Sequence, residues 1–373
     1  MNRRDILKVS VAVAGMGLAG TTLAETPAGV STDTFEPNGR WTVEKAQAWG
    51  KKQPWIVGCN YVPTYAVNQL EMWQKESFDA KIIDSELALA EKTGFNTLRV
   101  FMHHLLWQSD RNGFLDRVKT FLDICEKHGL QVIYTFFTNG GANVGELGPQ
   151  PAPKPYTHNS QWRQTPGKDA VMHRPEQWHT MEEYVLDCMT TFRDDPRVRI
   201  WDLFNEPANS GDKWMTLGFL RLLWTWARQV NPPAPLTSAV QTTSAIQTLE
   251  VEPIPAFLVE NSDILSFHHY GSKAGMEHMV KILLSHRRPV VCKEWLARGV
   301  GCTVFDILPL FKKYHVGAIN WGLIPGKLQT HLPWGWNADK GEPKVWHHDL
   351  YREDHTPYDP KEIALYLKLV AEK

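Results

Sequence analysis

The chain has 373 residues, of which 43% are hydrophobic and 22% are charged. These proportions are typical of a folded globular protein and exclude a largely disordered one. Lys and Arg number 40 and Asp and Glu number 41, which gives a formal net charge of −1. Without a basic excess, the chain is a poor candidate for binding nucleic acid or an anionic membrane surface.

The first 24 residues predict an export signal. A charged start with Arg3, Arg4 and Lys8 precedes a run of apolar and small residues that is too short to span a bilayer. The adjacent arginines are typical of a twin-arginine signal, which exports folded proteins, whereas a general secretory signal that happens to carry two arginines is the alternative. We therefore expect a periplasmic or secreted monomer with no membrane anchor once residues 1–24 are removed.

Short β-rich runs alternate with longer amphipathic patterns through residues 51–373, after an N-terminal extension at 25–50. The runs that predict strands are residues 55–60, 97–102, 131–137, 198–205, 236–241, 264–268, 289–294 and 317–321. The patterns that predict helices are residues 78–93, 114–128, 176–193, 214–230, 274–285 and 304–314. The fifth crossover, 242–262, is interrupted by prolines and has the weakest helical pattern.

This alternation is typical of βα units, and eight strands in that order predict one closed (β/α)8 TIM barrel. The alternative is an open doubly wound sheet. Such a sheet is expected to carry a glycine-rich turn after its first strand, and no GxGxxG pattern follows residue 60. The sequence therefore favours a single barrel domain over residues 51–373.

The cysteines are odd in number and form no CxxC pair: Cys59, Cys125, Cys188, Cys292 and Cys302. Each lies in or beside an apolar stretch, which indicates buried free thiols rather than a disulfide framework. A bridge between Cys292 and Cys302 is the pairing that the sequence leaves open.

Polar and aromatic side chains cluster at the C-terminal ends of the predicted strands, where barrel enzymes place their catalytic groups. In chain order these ends carry Arg99, His103 and His104, Asn205 and Glu206, His268 and Tyr270, Glu294, and Trp321. Glu206 and Glu294 would face each other across the barrel mouth. Two such carboxyl groups, one with a raised pKa and one ionised, are what hydrolysis of a glycosidic bond requires.

Five motifs in this order resemble those of the large clan of retaining (β/α)8 glycoside hydrolases, which includes family 5 cellulases, mannanases and xylanases. The motifs are TLRV at 97–100, WDLFNEP at 201–207, HHY at 268–270, KEW at 293–295 and INW at 319–321. The resemblance covers the barrel from about residue 55 to residue 321. It implies that Glu206 is the acid/base and Glu294 the nucleophile.

The predicted substrate-binding residues come from the strand ends, from this resemblance and from the tryptophans after the eighth strand. They are Arg99, His103, Asn205, His268, Tyr270, Trp321, Trp334 and Trp336. Arg99 beside Glu294 would hold it ionised, and Asn205 is placed to bond the sugar 2-hydroxyl. Many family 5 enzymes carry a histidine near the end of the third strand, where this chain has FFTN at 136–139, so the resemblance indicates a divergent member.

We expect no metal and no organic cofactor. Histidine doublets occur at 103–104, 268–269 and 347–348, but adjacent residues on a strand point to opposite faces and do not chelate as a helical pair would. The predicted partner is a carbohydrate substrate.

The predicted function is hydrolysis of β-glycosidic bonds in plant-type oligo- or polysaccharides, with retention of configuration. Long segments at 138–175 and 322–357 would lie on the catalytic face and favour a pocket for chain ends and oligosaccharides, the alternative being one side of an open groove. A catalytically inactive carbohydrate-binding barrel and a transglycosylase that uses the same site are the alternative functions.

Overall fold

The computed structural model of the protein describes residues 35–36, 38–209, 212–240 and 252–372. The predicted signal at 1–24 lies outside these ranges. Within them, parallel strands form one sheet that closes almost completely into a barrel. The strands are β1 Val57–Asn60, β2 Thr97–Phe101, β3 Gln131–Thr138, β4 Val198–Asn205, β5 Leu236–Thr237, β6 Ala239–Val240, β7 Leu265–His268, β8 Val290–Glu294 and β9 Gly317–Trp321. The order in the sheet is β5-β4-β3-β2-β1-β9-β8-β7-β6.

The predicted barrel is confirmed, with one correction at its fifth strand. Instead of one run at 236–241, the structure has β5 and β6, which are separated by Ser238. β5 pairs with β4 and β6 pairs with β7, so the two ends of the sheet meet at this serine. The Ser238 hydroxyl donates a hydrogen bond to the backbone oxygen of Phe204 in β4. Residue 241 lies outside the described residues.

The helices surround the barrel and match the predicted ones to within a few residues. They are α1 Val43–Lys52, α2 Gln69–Trp73, α3 Ala80–Lys92, α4 His104–Ser109, α5 Arg111–Lys127, α6 Trp178–Thr191, α7 Lys213–Val230, α8 Pro253–Asn261, α9 Lys273–Ser285, α10 Val304–Tyr314 and α11 Pro360–Ala371. Side-chain caps begin many of them; Asp79, for example, accepts from the first backbone amides of α3. The weak fifth crossover contains α8, whose first residue is Pro253. The sequence patterns did not predict α1, α2, α4 and α11.

Two layers of side chains fill the barrel interior. At the N-terminal end a layer of β-branched residues closes the bottom, and Trp49 of α1 packs against it. The layer consists of Ile56, Ile133, Ile200, Ile264, Val291 and Ile319. Above it the buried side chains become polar, among them Arg99, Asp202 and Lys293. The chemistry of the barrel is therefore confined to its C-terminal mouth.

Two long segments stand over this mouth: the β3 loop, residues 139–177, and the β9 loop, residues 322–359. They hydrogen-bond directly to each other. The backbone amide of Asn159 donates to Leu328 O at 2.9 Å, and that of Tyr156 donates to Gln329 Oε1 at 3.0 Å. In return Gln329 Nε2 donates to Lys154 O at 2.8 Å.

The loop after β1, residues 61–68, joins the same structure. Asn68 Nδ2 donates to Gln161 O of the β3 loop at 3.1 Å, and Lys327 N of the β9 loop donates to Thr64 O at 3.0 Å. The three loops thus form one hydrogen-bonded wall beside the mouth.

All five cysteines are free and buried, which confirms the free-thiol prediction and leaves Cys292 and Cys302 unbridged. Within the ranges that the structure describes, no helix combines the length and apolar character needed to cross a bilayer.

We expect Ile133→Ala to lower the free energy of unfolding by about 2–5 kcal/mol, because it opens a cavity in the layer at the barrel bottom. Urea unfolding followed by tryptophan fluorescence measures this loss. Leu222→Ala on the exposed side of α7 is the control and should change stability by less than about 0.5 kcal/mol. Equal effects of the two substitutions would contradict the layered core.

Candidate active site

Two carboxylates meet at the barrel mouth. Glu206 directly follows β4, and Glu294 is the last residue of β8. A register shift in the β7–β8 pair places His268 opposite Glu294. One carboxylate oxygen of Glu206, one of Glu294 and a ring nitrogen of His268 all lie within 4.8 Å of one another. The two acids are therefore close enough to act on the same bond of a substrate.

Glu294 is surrounded by donors. Its Oε1 accepts from Arg99 Nη1 at 2.8 Å, and its Oε2 accepts from the Tyr270 hydroxyl at 2.9 Å. Burial raises the pKa of Tyr270 well above its usual value, so the hydroxyl keeps its proton and remains a donor. Both oxygens of the Glu294 carboxylate therefore accept hydrogen bonds, one of them from a positively charged group.

Glu206 has the opposite environment. Burial raises its pKa, while the more distant positive charge of Arg99 and a hydrogen bond from Asn209 Nδ2, at 3.0 Å, act against this rise. Its proton is therefore retained to higher pH than that of an exposed glutamate. Its backbone φ of 51° is in the left-handed region, which costs a non-glycine residue about 1–2 kcal/mol. Such strain is concentrated at functional sites.

His268 lies between the two acids. Its Nδ1 is 2.8 Å from Glu206 Oε1 and 3.4 Å from Glu294 Oε2. Burial lowers the pKa of His268 to about 3, so the ring is neutral. A neutral imidazole nitrogen can accept from a protonated carboxyl group or, in the other tautomer, donate to a carboxylate. This contact therefore suits Glu206 in either of its protonation states.

Arg99 lies beneath the acids, and all three nitrogens of its guanidinium make hydrogen bonds. Its Nε and Nη2 contact Asp202 Oδ2 at 2.9 and 2.7 Å, and its Nη1 donates to Asn60 Oδ1 at 2.8 Å as well as to Glu294. Its Nη2 also donates to Asn205 Oδ1 at 2.6 Å. The guanidinium is completely buried, so its orientation is fixed by these partners.

A cavity of about 390 Å³ opens above the acids. Phe101, Trp162 and Trp321 pack edge to face along its floor and wall, with ring centroids 5.0–6.2 Å apart. On another side Trp334 lies 4.8 Å from the Tyr270 ring and leaves 47% of its surface exposed. Flat apolar rings beside hydrogen-bonding groups provide the surfaces on which sugar rings stack.

Most of the predicted site residues come together here. Those that line the cavity are Asn205, Glu206, Tyr270, Glu294, Trp321 and Trp334. Arg99 and His268 lie directly below and bond to the carboxylates.

Two predicted residues do not belong to this cavity. His103 is buried elsewhere: its Nδ1 accepts from Leu105 N as the cap of α4, and its Nε2 contacts Gln164 O at 3.0 Å. Trp336 lines a neighbouring cavity of about 620 Å³. Of the residues that line that cavity, Trp334 is the one that also lines the catalytic cavity. His103 therefore holds the β3 loop in place rather than contacting substrate.

Sequence reasoning missed the cavity residues contributed from the end of β2 and from the long loops. Phe101, His158, Asn159, Trp162 and His348 all line the catalytic cavity. Phe101 falls within the predicted second strand, residues 97–102, and Trp162 within the long segment 138–175. The available signal was the length of both loops on the catalytic face, which predicts their presence but not which side chains point inward.

The end of β3 is where many family 5 enzymes carry a histidine and this chain has FFTN at 136–139. Thr138 lines the cavity, and its Oγ1 lies 3.3 Å from Asn205 Nδ2. The Asn205 amide is thus held at both ends: its nitrogen donates to Thr138, and its oxygen accepts from Arg99.

Among the described residues, one group has metal-ligand spacing, namely Glu206, His268 and Glu294. The chemistry of this group does not suit a cation, because the Arg99 guanidinium already occupies Glu294 at 2.8 Å and would repel a second positive charge. Paired acid and base groups explain the same arrangement.

A barrel whose mouth holds one carboxyl with a raised pKa and one held by arginine and tyrosine, under an aromatic cavity, has the site of a glycoside hydrolase. The sequence agrees: the family model described as cellulase (glycosyl hydrolase family 5) matches residues 60–321. The chain belongs to glycosyl hydrolase family 5. Comparison with curated protein sequences gave no match.

Solved structures share the fold at low sequence identity. A GH5_18 variant from Streptomyces cattleya in complex with Manβ1-4GlcNAc is 16% identical, with 84% of this chain and 80% of that one covered and a TM-score of 0.58. The exo-β-1,4-mannosidase Op5Man5 from Opitutaceae bacterium strain TAV5 is 17% identical over 92% and 62%, with a TM-score of 0.57. An endo-β-1,4-mannanase from Thermotoga petrophila is 13% identical over 86% and 78%, with a TM-score of 0.57.

We expect hydrolytic activity to be unchanged after exhaustive dialysis against a chelator, because Arg99 already neutralises the carboxylate that a metal would need. Initial rates before and after dialysis, together with elemental analysis of the protein, test this. A large loss of activity that is restored by adding a divalent cation would favour a metal at Glu206, His268 and Glu294 instead.

Proposed function

We propose that the protein hydrolyses β-glycosidic bonds of plant-type oligo- or polysaccharides with retention of configuration. The separation of the two carboxylates carries this proposal. Retaining glycosidases hold their carboxyl groups about 5–5.5 Å apart, whereas inverting ones leave about 6.5–9.5 Å for a water molecule. Oxygen atoms of Glu206 and Glu294 within 4.8 Å of each other favour direct attack by a carboxylate.

The environments of the two acids assign their roles. Glu294, held by Arg99 and Tyr270, attacks the anomeric carbon while Glu206 gives its proton to the leaving oxygen. The glycosyl group is then esterified to Glu294. Glu206, now ionised, takes a proton from water, and the water displaces Glu294. Two inversions at one carbon give net retention.

We further propose action at chain ends or on short oligosaccharides. The wall formed by the β1, β3 and β9 loops stands beside the cavity, and its hydrogen bonds at Gln329 tie two of these loops together. An open groove would need this side free for a continuing chain. Because the similar structures include a mannosidase and a mannanase, β-mannosides are the first substrates to assay.

The roles of the acids can be tested with Glu206→Gln and Glu294→Gln. Each should keep the fold and lose at least about a thousandfold in hydrolysis of aryl β-glycosides, as expected for an essential catalytic group. Azide should rescue Glu294→Ala and yield the glycosyl azide of inverted configuration. Glu86→Gln, which changes a buried carboxylate bonded to Tyr61 and Thr64, is the matched control and should stay active.

The stereochemical outcome decides between mechanisms. NMR of the first product from a β-linked substrate should show the β anomer. Initial release of the α anomer would contradict double displacement. Transfer to added sugars that outpaces release into water would instead identify a transglycosylase.

Chain-end action predicts that oligosaccharides labelled at the reducing end lose one unit at a time and that the viscosity of a polysaccharide falls slowly. Product chromatography against time measures the first and viscometry the second. Gln329→Ala, which removes hydrogen bonds across the wall, should raise the share of internal cuts. Rapid loss of viscosity with the unaltered protein would establish an open groove instead.

A further inference from the structure

A lysine lies in the barrel interior immediately before the predicted nucleophile. Lys293 belongs to β8, and its side chain is completely buried. Its Nζ is 2.5 Å from Asp202 Oδ1, on a carboxylate that is equally buried. The other oxygen of Asp202 holds Arg99, so one aspartate joins two buried cations directly beneath the catalytic acids.

Burying these charges costs the folded state free energy. Each buried ion loses its hydration, and apolar residues of similar volume often stabilise a protein as well as a buried ion pair does. The chain already has Arg99 against Glu294 at 2.8 Å. A second cation in the same interior therefore calls for an explanation beyond stability.

Several charged or titratable groups from four strands of the barrel interact with Lys293. They are Arg99 of β2, Asp202 of β4, Glu206 at the end of β4, His268 of β7, and Glu294 of β8. Burial lowers the pKa of Lys293 to about 8, and Asp202 acts against this decrease, so the ammonium keeps its proton through the acidic and neutral range. The positive charge of Lys293 in turn lowers the pKa of Glu206 against the effect of burial.

We propose that Lys293 is a positioning residue whose ammonium, held 2.5 Å from Asp202 in the barrel interior, supplies a second buried positive charge beneath the catalytic carboxylates and favours the ionised form of Glu206 when Glu206 acts as the base. The inference rests on the proposed double displacement.

The need for this charge changes during the reaction. Before attack, Arg99 and Lys293 are balanced by Asp202 and the ionised Glu294. Once Glu294 is esterified to the sugar it is neutral, and the two cations face Asp202 alone. The excess positive charge then favours the ionised form of Glu206, which is the form that must take a proton from water. Lys293 would thus help Glu206 to change from acid to base between the two steps.

The test uses Lys293→Met and Lys293→Gln, which remove the charge with different packing. Asp202 keeps Arg99 as a partner in both. Loss of a nearby positive charge favours the protonated form of Glu206, so the basic limb of the kcat/KM profile should move to higher pH, by at least about half a unit. With a dinitrophenyl glycoside, whose first step is fast, kcat should fall more than kcat/KM because the second step needs ionised Glu206.

Arg288→Met is the matched control. Arg288 precedes the same strand at the other end of the barrel, its side chain is equally hidden, and it pairs with Glu36. At about 3.3 Å per residue it starts roughly 17 Å from Lys293 along the strand. The control should lower the melting temperature without moving either limb.

A second readout needs no turnover. The titration of the Glu206 carboxyl, followed by 13C NMR in protein labelled at glutamate, should have a higher midpoint in both Lys293 variants. An unchanged basic limb in an active enzyme, or an unchanged NMR midpoint, would overturn the inference. A protein that hydrolyses none of the β-glycosides tested would overturn the proposed function alone, because the NMR midpoint is measured independently of it.

Discussion

The site depends on the hydrogen bonds of one buried guanidinium. Arg99 of β2 contacts Asn60 of β1, Asp202 and Asn205 of β4, and Glu294 of β8. A planar group with five donors in fixed directions can hold several acceptors in one geometry, which an ammonium cannot. Arg99 therefore fixes strands that lie apart in the barrel relative to one another, at the level of the reacting groups. Because Glu206 follows β4 and Glu294 ends β8, these contacts help to set the distance between the two carboxylates.

Two chemically identical side chains, Glu206 and Glu294, have different surroundings. Glu294 accepts from Arg99 and Tyr270 inside the barrel, whereas Glu206 lies past the end of β4, in a strained backbone conformation, against a neutral His268. Burial without a direct cation raises the pKa of Glu206. The roles that we propose for the two acids thus follow from position on the barrel: Glu294 lies nearer the interior charges and bonds directly to Arg99, whereas Glu206 lies farther out and has no cation of the described residues in direct contact.

The sequence predicts the barrel well because strands buried on both faces appear as apolar runs between helical patterns. It does not reveal the break at Ser238, since a serine within an apolar run fits a continuous strand and its bond to Phe204 is a tertiary contact. Strand ends were predictable because topology brings them together. His103 was misplaced and Trp162 overlooked for the same reason: the path of a long loop depends on contacts such as Asn159 with Leu328, which no local pattern encodes.

The interior charges and the loops contribute to different parts of the site: the charges lie beneath the acids, and the loops shape the cavity above them. Solved structures that are only 13–17% identical share the fold, so the fold is compatible with many different sequences. A charged residue within an apolar strand, such as Asp202 or Lys293, is the sequence signal of the buried contacts beneath the acids. We expect the choice of substrate to depend on the loops, because Trp334 lines the cavity above the acids and Gln329 bonds the β9 loop to the β3 loop. The β9 loop also reaches the reacting groups, because Trp334 packs 4.8 Å from the ring of Tyr270, whose hydroxyl donates to Glu294, so a change in loop shape can alter the surroundings of that carboxylate.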